Sequence, residues 1–203
     1  MGSRSARYGR ITVQQYGWVN AQAALRRAYR EFPKPETVFV AGCSAGSVGS
    51  AFHADSIIRR YAKARVAQLG DSLAFVFHRP IRLTDWGAQE HFPRFFRIGK
   101  RRFTMVQFLT ALARAHPART FARFNHAADG VQERFYEAVG GKAGGFAPRL
   151  ALAERTLKRL PSTARISRAA STTVPCRPKS STRSASTASA SETGSRILPR
   201  VAT

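Results

Sequence analysis

Apolar residues recur at helical spacing over residues 18–32, where Val19, Ala23, Leu25, Ala28, Tyr29 and Phe32 fall near a 3.6-residue period. That pattern predicts an amphipathic helix, ended by Lys34-Pro35 because proline cannot continue one. The next run, Thr37-Val38-Phe39-Val40-Ala41, is β-branched, aromatic and apolar on both faces. It predicts a strand buried on both sides, as in a parallel sheet. Residues 42–46 read as a tight turn and residues 48–61 as a helix with Val48, Phe52, Ile57 and Ile58 in the core. Residues 64–69 predict a second strand, stopped by Gly70-Asp71. Strand, helix and strand in this span have the size of one right-handed βαβ crossover.

Residues 72–103 carry Pro80, Trp86, Gly87 and Pro93 and read as loop with short helical turns. Residues 104–116 predict a helix with Met105, Phe108, Leu109 and Leu112 on one face, broken by Pro117. A third strand over 120–124, a helix over 131–139 closing on Gly140-Gly141, and a last helix over 146–160 complete the pattern. The expected class is α/β: a parallel sheet with helices over residues 8–160.

Composition separates the rest. The last aromatic residue is Phe146, and residues 161–203 hold 17 Ser or Thr and no aromatic side chain. Such a segment has too little apolar surface to offset its chain entropy, so a disordered low-complexity tail is expected there. The chain of 203 residues carries a net charge of +23. The cations are scattered, Arg and Ala are both abundant as in GC-rich genes, and no zinc-finger spacing, zipper or ribonucleoprotein motif accompanies them. A basic nucleic-acid-binding protein is therefore the third reading, not the first. Two cysteines exclude a disulfide-built mini-domain or a Cys-rich zinc module, and no apolar run approaches a membrane span. No metal or organic cofactor is called for. Residues 1–10 are basic without an apolar stretch behind them, so no signal peptide is read.

Gly42-Cys43-Ser44-Ala45-Gly46 is G-x-S-x-G, placed where a strand ends and a helix begins. That is the frame of a nucleophile elbow. The turn is sharp enough that side chains at 42 and 46 are expected to collide with their surroundings, which accounts for glycine at both. Ser44 would stand above the carboxyl end of the sheet. The N–H of Ala45, at the new helix's N-terminus, would face a developing oxyanion, a donor worth about 3 kcal/mol in acyl transfer. The plainer reading is a small-residue strand-to-helix turn without catalysis. Cys43 is read as packing.

These residues carry a resemblance. Gly17-Trp18-Val19-Asn20, the segment from Pro35 to Val40, Gly42-Cys43-Ser44-Ala45-Gly46-Ser47, His53-Ala54-Asp55, Gly70-Asp71-Ser72 and Asn125-His126-Ala127-Ala128-Asp129-Gly130-Val131-Gln132 occur in an order that resembles the pectin acetylesterase and Notum family of carboxylesterases, bacterial members above all. The resemblance implies an α/β-hydrolase-like parallel sheet with a nucleophile elbow, incomplete here, and a serine carboxylesterase removing O-acyl, especially O-acetyl, groups from carbohydrate esters. It assigns Ser44 as nucleophile and Asp129 as the acid that orients a histidine. Asp129 follows a predicted strand, and Ser before Asp before His is the order α/β hydrolases use. Asp71 competes for the acid's role, and N-capping of the helix at Val131 is the plainer job for Asp129. Family members are often exported.

The chain departs from the pattern in one respect that matters. Its five histidines are His53, His78, His91, His116 and His126, and none follows Asp129. The triad histidine is thus not identified. Reading from the last base of the Ser171 codon permits His-His-Arg-Ala-Val-Pro-Ala-Glu-Glu-Phe-Tyr, so a frame slip near 160–170 would restore histidine where the triad needs it. Only 43 residues precede Ser44, one helix among them, and the family's upstream Gly- and Trp-containing segment has no counterpart. The expectation is a chain truncated at its N-terminus and frame-shifted at its C-terminus. The alternative to an esterase is accordingly a catalytically dead fragment of that family.

Overall fold

The computed structural model describes residues 2–72, 74–79, 87–96, 103–160 and 164–169. It opens with a hairpin that the hydrophobic pattern did not announce. β1 (Arg4–Tyr8) and β2 (Ile11–Gln15) pair antiparallel with Tyr8 opposite Ile11. The two-residue loop puts Gly9 first, at φ 59°, as a type II′ turn requires. α1 (Gly17–Glu31) follows, as expected, but none of its residues is fully buried. Leu25 and Tyr29 rest on the core, and the Tyr61 hydroxyl donates to the Phe32 carbonyl at 2.7 Å, tying the helix's end to the body.

The central unit is β3 (Thr37–Cys43), α2 (Ala45–Arg60), β4 (Arg65–Asp71), α3 (Met105–Ala115), β5 (Thr120–His126), α4 (Gly130–Ala138), α5 (Phe146–Lys158) and β6 (Ala164–Ala169). The sheet runs β3-β4-β5-β6 and every pair is parallel. β6 falls within the stretch from residue 161 that was expected to be disordered, and its Ala164 to Ala169 pair in register with Phe121 to His126. A partner strand satisfies backbone groups that a polar side-chain composition cannot. Residues 170–203, the rest of the predicted tail, lie outside the described residues.

Each crossover steps one strand further in the same direction. With right-handed connections, that drops the linking helices on one face of the sheet. The buried strand positions agree: Val66, Gln68 and Gly70 of β4 and Phe121, Arg123 and Asn125 of β5 are all buried, with Gln68 opposite Phe121 and Gly70 opposite Arg123. There Val48, Ala51, Ile57 and Ile58 of α2 meet Met105, Phe108, Leu109 and Leu112 of α3; Ala51 was not among the expected core residues, and Phe52, which was, is also buried. A second cluster joins Ala74 to Tyr136, Phe146 and Leu150.

The opposite face is open. Thr37, Phe39, Ala41 and Cys43 of β3 are exposed, Phe39 at 63%. The expectation of a strand buried on both sides is therefore not met by β3, which is an edge strand whose second face no helix covers among the described residues. Cys43 is a free, exposed thiol rather than a packed one. No helix among the described residues is long and apolar enough to cross a membrane.

Candidate active site

The four parallel strands bring their carboxyl ends to one rim. Ser44 leaves β3 there at φ 53° and ψ −123° and begins α2 one residue later. A positive φ is uncommon for a side-chain-bearing residue, and this ψ lies off the small left-handed helical island. Ser44 is exposed, and its hydroxyl does not cap α2. Its N–H donates to the Asp71 carbonyl at 2.9 Å and its carbonyl accepts from the Ser47 N–H at 2.9 Å. The residue is thus pinned on both sides of a strained backbone, with its hydroxyl toward solvent.

The two glycines do different work. A Cβ on Gly42 would lie 2.1 Å from the Gly46 carbonyl oxygen, whereas a Cβ on Gly46 would meet nothing within 4 Å. The expected collision at 46 does not occur. Glycine is required at 42 because the backbone of 46 folds down against its Cα. Ala45 stands at the first position of α2, whose initial N–H groups have no acceptor inside the helix. Its N–H is the candidate oxyanion donor.

Behind the elbow lies a buried polar chain that the sequence reading missed. The Gln68 amide donates to Ser50 Oγ at 2.8 Å, and that hydroxyl lies 3.0 Å from the Ser47 carbonyl and 3.2 Å from the Leu69 carbonyl. Gln68 is only 2% exposed. This chain locks the first turn of α2 to β4, and so fixes where the Ala45 and Ser47 N–H groups sit. The available signal was a glutamine inside an otherwise apolar strand pattern. Arg123, 3% exposed, donates from Nη2 to the Ala74 carbonyl at 2.8 Å. Burial pushes its pKa down, and Glu154 opposes that fall.

Asp129 is the N-cap of α4. One carboxylate oxygen accepts from the Val131 and Gln132 N–H groups at 3.0 Å each, and the other accepts from the Gln132 side-chain amide at 3.0 Å. Gln132 in turn accepts the Ala74 N–H at 2.7 Å. Asp129 thus caps α4, and the third-position glutamine, bonded to the Asp129 side chain, ties the cap to a neighbouring loop. β5, whose end leads to Asp129, lies two strands from β3 in the sheet, and both chains emerge on the same rim. Asp71 is one strand away, opposite Cys43 in register, with its carboxylate bonded by the Ser72 hydroxyl.

The histidines are engaged elsewhere. His116 Nε2 lies 2.7 Å from Asp55 Oδ1. Trp18 stacks with His91 at 4.2 Å between ring centroids and with His53 at 5.4 Å. Burial draws the His53 pKa down to about 4, and its Nδ1 has no hydrogen-bond partner among the described residues. His78 sits edge-on to Tyr136. His126 ends β5, exposed, against the Phe124 ring. None is bonded to Ser44 or Asp129 among the described residues. Nor do these residues hold a group of three His, Cys, Asp or Glu that could bind a metal ion.

Comparison with protein-family models, with curated proteins and with solved structures returns no match for this chain. The case for function rests on the elbow and on the resemblance of its motifs.

Proposed function

We propose that this chain carries the nucleophile half of a serine carboxylesterase acting on O-acyl carbohydrate esters. The observation that carries the reading is Ser44: exposed, at positive φ, on a strand-to-helix turn closed by backbone contact between Gly46 and Gly42. Ser44 Oγ attacks the acyl carbonyl, and negative charge gathers on its oxygen beside the Ala45 N–H. The carbohydrate alcohol leaves, taking a proton, and water then releases the acid from the acyl-enzyme.

The proton on Ser44 needs an imidazole as acceptor. The chain leaves β6 at Ala169, beside the end of β5 and on the rim that holds Asp129. A histidine a few residues further on is where the shifted reading frame would supply one. A second reading, a catalytically dead fragment of the same family, draws support from both Asp129 oxygens being used by α4 and from the absence of histidine after Asp129.

A fluorophosphonate probe and p-nitrophenyl acetate turnover separate them. The esterase reading expects slow labelling of the chain, none of Ser44→Ala, and turnover raised by about a thousandfold or more when the frame is shifted at residue 171. Absence of labelling in both frames establishes the inert fragment instead. A stop codon or no histidine codon in the shifted frame ends the account of the missing imidazole.

A further inference from the structure

The loop after β4, the first turn of α3 and one side of α5 enclose a cavity of about 300 Å³ on the helix-covered side of the sheet. That volume is at the lower end of small-molecule sites. Phe103, Met105 and Ala153 are buried and form its floor, Phe75 stands on its wall, and the exposed Arg79 and Arg149 line it nearer solvent. Arg149 Nη1 donates to the Phe77 carbonyl at 3.3 Å, one of the five N–H donors a guanidinium offers. Among the described residues neither arginine takes part in an ion pair.

Two further features favour negative charge and a rigid wall. Met105 and Val106 line the cavity from the N-terminal turn of α3, where N–H groups lack partners inside the helix and the dipole is positive. The Thr104 cap takes the N–H of Gln107, not theirs. Phe75 holds φ 52°, a conformation a bulky side chain adopts only under constraint. The constraint is visible one residue earlier, where Ala74 is gripped by buried Gln132 at its N–H and by buried Arg123 at its carbonyl. The wall is thus set before any ligand arrives, which lowers the cost of binding.

We propose that this cavity binds a small arylalkyl carboxylate, with the ring among Phe75, Phe103, Met105 and Ala153 and the carboxylate on Arg79 and Arg149. Aromatic walls suit a ring edge or face, and a guanidinium suits a carboxylate. A cationic ligand would be repelled, and a neutral one would leave both arginines unused. The inference stands whether or not Ser44 is a nucleophile.

Calorimetric titration of the full chain with 4-phenylbutyrate, and with 4-phenylbutanol as its uncharged counterpart, tests it. The carboxylate should bind in the submillimolar range and about tenfold more tightly than the alcohol. Arg149→Gln should remove most of that preference, and Thr156→Trp, at the exposed side of the cavity, should block both probes while leaving the unfolding midpoint unchanged. No heat at millimolar ligand, equal affinity for acid and alcohol, or binding indifferent to both variants overturns the proposal.

Discussion

Replacing Ser44 by glycine should make the protein more stable than replacing it by alanine, the reverse of what holds along a helix. Both changes delete the hydroxyl, so the difference isolates the backbone. At φ 53° and ψ −123° a Cβ costs about 1–3 kcal/mol, which glycine does not incur. Glycine also loses more freedom on folding, about 0.5–1 kcal/mol. The balance favours Ser44→Gly over Ser44→Ala by about 1 kcal/mol. Ser56, inside α2, is the control, since alanine should exceed glycine there by about 1 kcal/mol. Urea unfolding of the four variants reads the comparison directly. At a slope near 2 kcal/mol per molar, each kilocalorie moves the midpoint by about 0.5 M. If Ser44→Ala proves as stable as Ser44→Gly, the turn is not strained, and the geometric argument for a nucleophile at this position is lost.

The two elbow glycines should respond oppositely to alanine. Gly42→Ala forces the Gly46 carbonyl away and should cost about 2–3 kcal/mol in urea midpoint, while Gly46→Ala fills open space in a helix and should be neutral or gain up to about 0.5 kcal/mol. Equal losses would show that both glycines serve the turn through space. His53 should give the protein an acid sensitivity: its pKa falls from 6.5 unfolded to about 4 folded, so the unfolded state binds the extra proton and stability declines as pH drops from 6.5 toward 4. After allowance for solvent screening the loss is about 2 kcal/mol, and His53→Phe should flatten that limb of a plot of unfolding free energy against pH. Parallel slopes in wild type and variant would refute it.

The elements that could be read from the sequence are those whose pattern is set by burial against neighbours close in the chain. α2 and α3 carry stripes that the core uses as the pattern implies, and β4 alternates toward the helices. The elements that escaped are governed by partners the pattern does not name. The hairpin buries little, with Ile11 at 68% exposure and Val13 at 39%, so its signal lay in Gly9 alone. β6 sits in a run poor in apolar residues and is defined by its pairing with β5. His116 closes α3 and Asp55 lies in α2, while Gln132 of α4 meets Ala74 of the loop after β4, so no local spacing announces these contacts. Asp129 shows how one residue type serves two arguments: a carboxylate after a strand suits a triad, and the same carboxylate before a helix is a cap. The geometry displays the second use.

The same topology that assembles the rim also decides how the elbow is held. Because the strands are added in one direction, β3 is an edge of the sheet, and among the described residues Ser44 has a neighbouring strand on one side only. Its strain must then be borne by β4 and α2. Two sets of bonds do this: the Asp71 carbonyl holds the Ser44 N–H, while Gln68 through Ser50 holds the first turn of the helix. An apolar residue at 68 or 50 would pack as well but would leave that turn free to relax, and a relaxed turn lowers the serine toward the sheet. Polar residues buried at these two positions are therefore explained by the backbone they position, not by the stability they add.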